Sequence, residues 1–259
     1  MNDKSAIITG STSGIGLAIA ERLASKNYNI LLNGFGKRDH IDNIISDIEY
    51  KYGTQVKYHN ADMSNSTEIK NMIDFAKSEF KSIDILINNA GIQFVANIEE
   101  FPIEKWDSII ATNLSSSFHT IREILPHMKS NNFGRIINIA SAHGLVGSVG
   151  KSAYVAAKHG IVGLTKVVAL ENARNNITCN AICPGWVKTP LVEKQIENNA
   201  KADNISIDDA TINLLMEKQP SLKFVSTEEI SELVCFLSSD SARSITGSVI
   251  SIDGGWTAR

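Results

Sequence analysis

Short apolar runs alternate with amphipathic helical patterns along the whole chain, and this alternation constrains the fold more than any other feature. Continuous Ile, Val and Leu runs suit the strands of a parallel sheet that is covered on both faces. We predict strands at Ala6–Thr9, Ile30–Asn33, Val56–His59, Ile83–Asn88, Arg135–Ala140, Ile177–Ile182 and Val249–Ile252. Since parallel strands are joined by right-handed helical crossovers, the pattern predicts an α/β protein with a Rossmann-type, doubly wound sheet of about seven strands and helices on both faces.

The helices between these strands have recognisable ends. Apolar residues recur every three or four positions over residues 69–80, which predicts a helix with one buried face. Pro102 is typical of a first helical turn. Ser226 and Glu229 form the pattern of a capping box ahead of a later helix.

Length and charge limit the classes of protein to consider. The chain has 259 residues and a formal net charge of −3. Sheets of this class often reach that length in one unit, so we expect a single dinucleotide-binding catalytic domain over residues 1–259. The basic excess that nucleic-acid binding needs is missing, and no apolar run has the length of a membrane span or the flanks of a signal peptide. We expect a cytoplasmic protein with no nucleic-acid or membrane partner.

The stretch from Trp186 to about Val225 breaks the rhythm, because it is polar and has no strand pattern. Short helical patterns occur in it instead. Open α/β sheets bind ligands at the carboxyl ends of their strands, and this stretch follows the sixth strand at that edge. We predict a helical substrate lid here. The alternative is a peripheral helical pair that only covers the sheet.

The first strand leads directly into the segment TGSTSGIG, which spans Thr9 to Gly16 and precedes a helix. Glycine permits a tight turn and a close approach of the backbone to a pyrophosphate, and the N–H groups at the start of a helix favour negative charge. Any tight strand–helix turn can use glycine, but this position favours a dinucleotide site. The predicted phosphate contacts are Gly10, Thr12, Ser13, Gly14, Ile15 and Gly16.

Two segments further along can complete such a site. Asp62 follows the third strand, where it can accept a hydrogen bond from an adenine amino group, cap the next helix, or do both. The segment NNAG ends the fourth strand with the small residues Ala90 and Gly91, preceded by Asn89. It either lets the chain pass close to a ribose or forms a plain turn.

Tyr154 and Lys158 are four residues apart in a helical pattern, so their side chains share one face. A free phenol has a pKa of about 10, whereas a general acid/base works best near the ambient pH. A neighbouring ammonium stabilises the phenolate, which gives this pair a chemical reason to be adjacent. An isolated pair at this spacing would more often be a surface pair.

Three neighbours favour the catalytic interpretation. Ser141 follows the fifth strand, where its hydroxyl can donate to a carbonyl oxygen or an alkoxide. Asn113 is a polar amide within a helical pattern, where it can hold a water that links Lys158 to solvent. Pro184, Gly185 and Thr189 follow the sixth strand, where a nicotinamide carboxamide would find polar groups.

The chain resembles the short-chain dehydrogenase/reductase family over its whole length, through TGSTSGIG, NNAG, Asn113, Ser141, Tyr154 with Lys158, and PGWVKT. The resemblance implies that the tyrosine is the acid/base, the lysine lowers its pKa and holds the ribose, the serine positions the substrate and the asparagine supports a proton relay. It implies no metal. Beyond the glycine turn, the expected cofactor contacts are Phe35, Asp62, Asn89, Ala90, Gly91, Tyr154, Lys158, Pro184, Gly185, Val187 and Thr189.

Four polar residues can converge on the far end of a substrate. Gln93, His143 and Lys151 lie near the catalytic residues in sequence, and Gln195 lies in the predicted lid. One cation, one imidazole and two amides would clamp a carboxylate. Taken singly, each of these residues would be interpreted as a solvated or structural side chain. Substrate contacts are expected at Gln93, Ser141, His143, Lys151, Tyr154 and Gln195, with Trp186 and Trp256 excluding water and limiting chain length.

Longer strings, among them KSAYVAAKHGIVGLTKVVALE and NAICPGWVKTPLVEKQI, resemble members of this family that act on short 3-hydroxy acids. This resemblance implies reversible, NAD-dependent oxidation of (R)-3-hydroxybutyrate to acetoacetate, and a homotetramer. One feature departs from the usual NAD pattern: the turn after the second strand, NGFGKR, has no acid for the ribose hydroxyls. Lys37 and Arg38 either favour NADP or are solvated charges. The family members that the chain resembles here also use an NGFG-type turn with NAD, so NAD is expected and NADP is not excluded.

Two other functions fit parts of the pattern. A 3-oxoacyl-thioester reductase of the same family would use NADPH and would need an open cleft for a carrier arm instead of a carboxylate clamp. A non-catalytic dinucleotide-binding regulatory protein would be expected to lack one of Ser141, Tyr154 or Lys158, and all three are present.

Overall fold

The computed structural model describes residues 4–258, except the side chains of residues 190 and 191. Within that range the strands are β1 Ser5–Ile8, β2 Asn29–Asn33, β3 Val56–His59, β4 Ile85–Asn88, β5 Gly134–Ile139, β6 Ile177–Pro184 and β7 Val249–Ile252. They form one parallel sheet in the order β3-β2-β1-β4-β5-β6-β7. The order reverses direction between β1 and β4, which opens a crevice at their carboxyl ends.

Helices cover both faces of this sheet. In the described range they are α1 Gly14–Ala24, α2 Arg38–Tyr52, α3 Ser66–Glu79, α4 Ile103–Ile110, α5 Ser116–Ser130, α6 Ser152–Glu171, α7 Pro190–Asp203, α8 Ile207–Lys218 and α9 Thr227–Ser238. A π-helical turn, Ala111–Ser115, joins α4 to α5. By length and composition alone α6 could cross a membrane, but in the fold it packs against β6 and α4, which accounts for its apolar side chains.

Alternate residues of the strands feed two separate cores. Ala6 and Ile8 of β1 face the core beneath α1 and α9, whereas Ile7 faces the core beneath α3 and α5. Because successive strand side chains point to opposite faces, a strand buried on both sides must be apolar throughout. This is why the continuous apolar runs predicted the sheet correctly, with every strand end within two residues of its predicted position.

The helix ends agree with the sequence in part. The capping box of Ser226 and Glu229 is present at the start of α9. Pro102 is the residue before α4 instead of its first turn. Asp62 does not cap α3, because Asn65 accepts hydrogen bonds from the first backbone N–H groups of that helix. Asp62 accepts from Ser64 instead, within the preceding turn.

The stretch between Trp186 and Val225 forms α7 and α8, with one isolated bridge between Val187 and Val225. The buried side chains of both helices pack in one cluster with Trp186 and Trp256. The pair therefore covers the carboxyl ends of β6 and β7 and not a remote part of the sheet.

Candidate active site

A cavity of about 680 Å³ runs along the carboxyl ends of the strands, from the glycine turn after β1 to Trp256. Nearly all of the residues predicted to bind cofactor or substrate line it. Three do not: Gly16, Asn113 and Gln195 lie outside the lining. One continuous cavity thus brings together a dinucleotide-sized groove and a smaller polar pocket at its end.

The start of α1 is built to accept an anion. Gly10 and Gly14 adopt left-handed backbone conformations, with φ of +62° and +56°, which other residues adopt only with strain. Ser13 precedes the helix, and within the described chain no side chain caps its first N–H groups. These N–H groups are left for a ligand, which fits the pyrophosphate of a dinucleotide.

Gly16 serves the same turn from behind. A Cβ on Gly16 would lie 2.3 Å from the carbonyl oxygen of Gly10 and 2.5 Å from the side-chain nitrogen of Asn89. Gly16 is therefore required for close packing of α1 against the turn, and it shapes the cofactor site without lining it.

Asn89 binds the glycine turn to the end of β4. Its side-chain amide donates to the carbonyls of Thr9 and Gly10, both at 2.9 Å. The Thr9 hydroxyl in turn accepts from the backbone N–H groups of Asn89 and Ala90, both at 3.0 Å. The NNAG segment is therefore a structural brace at the switch point, and its small residues line the cavity.

The turn after β2 is fixed by Asn33. The Asn33 amide accepts from the Gly10 N–H at 3.2 Å and donates to the carbonyls of His59 and Ala61 at 3.1 and 3.0 Å. Phe35, two residues on, is exposed at the cavity rim, and its carbonyl accepts from the Thr12 hydroxyl at 3.1 Å. The adenosine end of the groove is thus lined by an aromatic side chain and by Asp62.

The two bases that follow Phe35 are on the surface. Arg38 pairs with Asp42 one helical turn away, at 2.9 Å, and both side chains are largely exposed. Lys37 is exposed at the start of α2. Neither residue lines the cavity.

Tyr154 and Lys158 lie on the same face of α6 and both line the cavity. The Lys158 ammonium is buried 5.6 Å from the centre of the Tyr154 ring and donates to the Ile139 carbonyl at 2.7 Å. Burial raises the pKa of Tyr154, and a hydrogen bond with Ser141 opposes that rise. Burial also lowers the pKa of Lys158 to about 8. The site thus holds a desolvated phenol and a desolvated amine side by side.

Ser141 is oriented by its own turn. It precedes a short 3₁₀ turn, and its hydroxyl oxygen accepts from the His143 backbone N–H at 3.2 Å. This hydrogen bond fixes the hydroxyl beside Tyr154, and the serine lines the cavity as predicted.

Asn113 is used differently from what its sequence position suggests. Its side-chain oxygen accepts from the Ile92 N–H and its nitrogen donates to the Ile92 carbonyl, both at 2.8 Å. The amide is therefore bonded on both sides to the segment that carries Gln93. A proton relay through Asn113 stays a prediction.

The far end of the cavity contains an unpaired buried cation. Lys151 is 6% exposed and its ammonium lies 5.1 Å from the centre of the Trp186 ring. No hydrogen bond or ion pair reaches this ammonium from residues 4–258. Burial, and after it the charge of Lys218, lowers the pKa of Lys151 to about 8. A buried ammonium in this position is stabilised by an anion.

Aromatic rings surround this cation. The Trp186 and Trp256 rings are 5.8 Å apart, and the His143 ring lies edge-on between Trp256 and Tyr154, at 5.0 and 5.9 Å. Burial lowers the pKa of His143 to about 3, so the imidazole is neutral. Its Nε2 and the indole nitrogen of Trp186 are buried, with no hydrogen-bond partner in the described chain. Neither nitrogen has solvent contact in this structure, so each is both buried and unpaired among the described residues.

The two predicted amides differ. Gln93 lines the same cavity as His143 and Lys151. Gln195 is half-buried on α7 and does not line it, whereas Val192 one turn earlier does. This face of α7 presents an apolar side chain to the cavity, and the predicted substrate contact of Gln195 stays a prediction.

Comparison with known proteins agrees with this geometry. Residues 4–200 match the family model described as short chain dehydrogenase. The chain belongs to the short-chain dehydrogenase family. Over 259 residues, all of both chains, it is 55% identical to D-beta-hydroxybutyrate dehydrogenase of Cupriavidus necator. It is 54% identical over 256 residues, 99% of each chain, to D-beta-hydroxybutyrate dehydrogenase of Rhizobium meliloti.

A solved structure shows the same fold. L-sorbose reductase from Gluconobacter frateurii, complexed with NADPH and L-sorbose, superposes with a TM-score of 0.94 at 29% identity, covering 100% of this chain and 98% of that chain. As a short-chain dehydrogenase the chain is an oxidoreductase that binds a nicotinamide dinucleotide. The uncapped start of α1 and the glycine cradle fit that group.

Some residues that shape this short-chain dehydrogenase site carry no sequence signal of their own. Gln219 is completely buried, and its side-chain oxygen accepts from the Trp186 N–H at 2.7 Å. Lys218, beside it, donates to the Ser148 hydroxyl at 3.0 Å. Both contacts join the end of α8 to loops of the sheet edge. Only the excess of polar residues in this stretch hinted at them.

Proposed function

We propose that this chain catalyses the reversible, nicotinamide-dependent oxidation of (R)-3-hydroxybutyrate to acetoacetate. The observation that carries the proposal is the Lys151 ammonium, which has no partner among the residues that the structure describes and lies in the same cavity as Tyr154 and Lys158. An isolated buried charge is costly unless a partner satisfies it. A substrate with a carboxylate close to its carbinol supplies that partner.

The residues divide the substrate between two ends. At one end the Lys151 ammonium binds the carboxylate, and His143, Trp186 and Gln93 line the same cavity. At the other end Ser141 and Tyr154 hold the carbinol oxygen. The distance between the two ends limits the acid to a short chain, because Trp186 and Trp256 fill the remaining space.

Chemistry at the carbinol requires one hydride and one proton to leave. Tyr154 takes the hydroxyl proton, Ser141 donates to the developing carbonyl oxygen, and Lys158 stabilises the phenolate electrostatically. A nicotinamide held by the lining after β6, at Gly185 and Thr189, would supply the hydride acceptor for the carbinol carbon and a positive charge that favours the ionised phenol. In the reverse direction Tyr154 returns the proton to the oxygen of the keto acid.

We propose NAD as the cofactor. Asn33 supplies no carboxylate for the ribose hydroxyls of NAD. However, Arg38 is paired with Asp42, and neither Arg38 nor Lys37 lines the groove. A 2′-phosphate would therefore meet no free cation in the described lining near Phe35. The groove is better suited to a ribose with free hydroxyls.

The test compares three substrates in initial-rate assays with NAD and with NADP. We expect (R)-3-hydroxybutyrate to exceed its methyl ester in kcat/KM by about 30-fold or more, because the ester has the same carbinol and no charge. NAD is expected to be preferred. If a 3-oxoacyl thioester with NADPH is turned over faster than the free acid, the protein is a thioester reductase and the proposal is wrong.

The surroundings of the site lead to three smaller proposals. Helices α7 and α8 act as the substrate lid of one catalytic domain, because their apolar faces pack on the tryptophans of the pocket. The chain works in the cytoplasm.

Four copies assemble, which the exposed apolar side chains on α4, α5 and α6 support; they include Ile103, Trp106, Phe118, Val167 and Leu170. Light scattering after size-exclusion chromatography tests the last proposal, and a monomer would contradict it.

A further inference from the structure

Lys218 is the last residue of α8 and lies behind the aromatic wall of the pocket. Its ammonium is 5.6 Å from the centre of the Trp256 ring, on a side chain that is 21% exposed. Lys151 has the matching position against Trp186, at 5.1 Å. The two tryptophan rings are in contact. A pair of adjacent, tilted indole rings is thus contacted by two lysines, one on the pocket side and one on the lid.

The Lys218 ammonium also ties the lid to the loop that carries Lys151. It donates to the Ser148 hydroxyl at 3.0 Å, and Ser148 is three residues ahead of Lys151. Next in sequence, the buried Gln219 accepts from the Trp186 N–H at 2.7 Å. The end of α8 is therefore fixed to both loops that present the carboxylate-binding groups.

The charge of Lys218 reaches into the pocket. Burial is the main cause that lowers the pKa of Lys151, and the charge of Lys218 is the second. For His143 burial comes first, the charge of Lys151 second and the charge of Lys218 third. Glu217, which lies 3.2 Å from the Lys218 ammonium, offsets part of this charge for Lys151. Concentrated positive potential in a low-dielectric pocket increases its affinity for an anion.

We propose that Lys218 is a positioning residue for the substrate carboxylate: tethered to Ser148 and packed on Trp256, it holds the Lys151 loop against the lid and adds a second positive charge at that end of the cavity. The proposal rests on the proposed function, since it takes the anion to be the carboxylate of a short hydroxy acid. Lys218 does not line the cavity and so acts through Lys151, His143 and Trp256.

The experiment measures kcat and KM for (R)-3-hydroxybutyrate and for its methyl ester in five variants, one of which, Lys151→Met, removes the pocket cation itself. Lys218→Met removes the charge, Lys218→Arg keeps it, and Ser148→Ala removes the tether but keeps the lysine. Lys201→Met, an exposed lysine of α7, is the matched control. Lys218→Met is expected to raise the KM of the free acid by about five- to twentyfold with kcat nearly unchanged and the ester unaffected.

Lys218→Arg is expected to restore most of the affinity for the acid, Ser148→Ala to raise KM by a smaller factor, and Lys201→Met to change neither constant. Equal losses on acid and ester would show that Lys218 only supports the fold, and would overturn the inference. If Lys218→Met leaves the KM of the acid unchanged while Lys151→Met raises it, the inference fails and the proposed function stands. If both variants bind the acid normally, the proposed function fails as well.

Discussion

The Lys158 ammonium donates to the Ile139 carbonyl at the end of β5, and this single hydrogen bond fixes the lysine beneath Tyr154. The carbonyl end of the strand therefore sets the position of the charge, and α6 sets the position of the phenol. Neither group depends on the lid, so the catalytic pair is already in place before a substrate enters.

Replacing the phenol tests the proton-transfer step. Tyr154→Phe is expected to reduce kcat by about two to four orders of magnitude, because the variant has no group that can take the hydroxyl proton. NAD binding, followed by the change in intrinsic fluorescence, is expected to stay within a few-fold of the parent, since the Lys158 hydrogen bond to Ile139 does not involve the ring oxygen. Turnover above a tenth of the parent rate would rule Tyr154 out as the acid/base.

Removing the buried cation tests the carboxylate pocket. Lys151→Met is expected to raise the KM for (R)-3-hydroxybutyrate by about 30-fold or more, since truncating one partner of a buried ionic contact often costs about 2–5 kcal/mol. The KM of the methyl ester should change little. Lys194→Met, on the exposed side of α7, provides the control for loss of a lysine. A parallel loss on acid and ester would contradict the pocket.

The same lysine predicts a pH dependence. The pKa of Lys151 is lowered to about 8, so the ammonium loses its proton as the pH rises through that value. Only the charged form attracts a carboxylate, and a bound carboxylate stabilises the charge. The inhibition constant of acetate is therefore expected to be flat below about pH 8, to rise about tenfold per pH unit above it, and to level off above the higher pKa of the complex. In Lys151→Met the rise should vanish; its persistence would assign it to another group.

Freeing Arg38 tests the choice of cofactor. Asp42→Ala removes the partner that holds the guanidinium along α2. The arginine can then turn towards the mouth of the groove, where a 2′-phosphate would bind. We expect the KM for NADP to fall by about two- to tenfold and the KM for NAD to change little, an effect of the size typical for exposed charges. The double variant with Arg38→Ala should lose the gain; if it does not, Arg38 is not the source.

A methyl group added at Gly16 tests how closely α1 packs against the phosphate-binding turn. Gly16→Ala places a methyl group 2.3 Å from the Gly10 carbonyl oxygen, so the turn or α1 must shift. We expect a loss of about 1–3 kcal/mol in the free energy of unfolding, measured with urea, together with weaker binding of NAD. Gly147→Ala is the control, because nothing lies within 4 Å of the added methyl group. Similar behaviour of the two variants would contradict the packing argument.

Sequence patterns were sufficient wherever the cause is local. The strands could be predicted because burial on both faces demands continuous apolar runs, and Tyr154 with Lys158 because one helix carries both. Contacts between distant segments could not be predicted in this way. Asn113 binds Ile92, 21 residues away, and Lys218 binds Ser148, 70 residues away. The rotation of α7, which turns Val192 and not Gln195 to the pocket, depends on how the lid packs and leaves no periodic signal that separates the two.

Asn33 limits how the coenzyme preference of this enzyme can be changed. Its amide links the ends of three neighbouring strands through Gly10, His59 and Ala61. A carboxylate there would lose both donated hydrogen bonds and face two carbonyl oxygens and no cation. Any redesign of selectivity must therefore begin further out, at the exposed residues after Phe35, and leave this junction untouched.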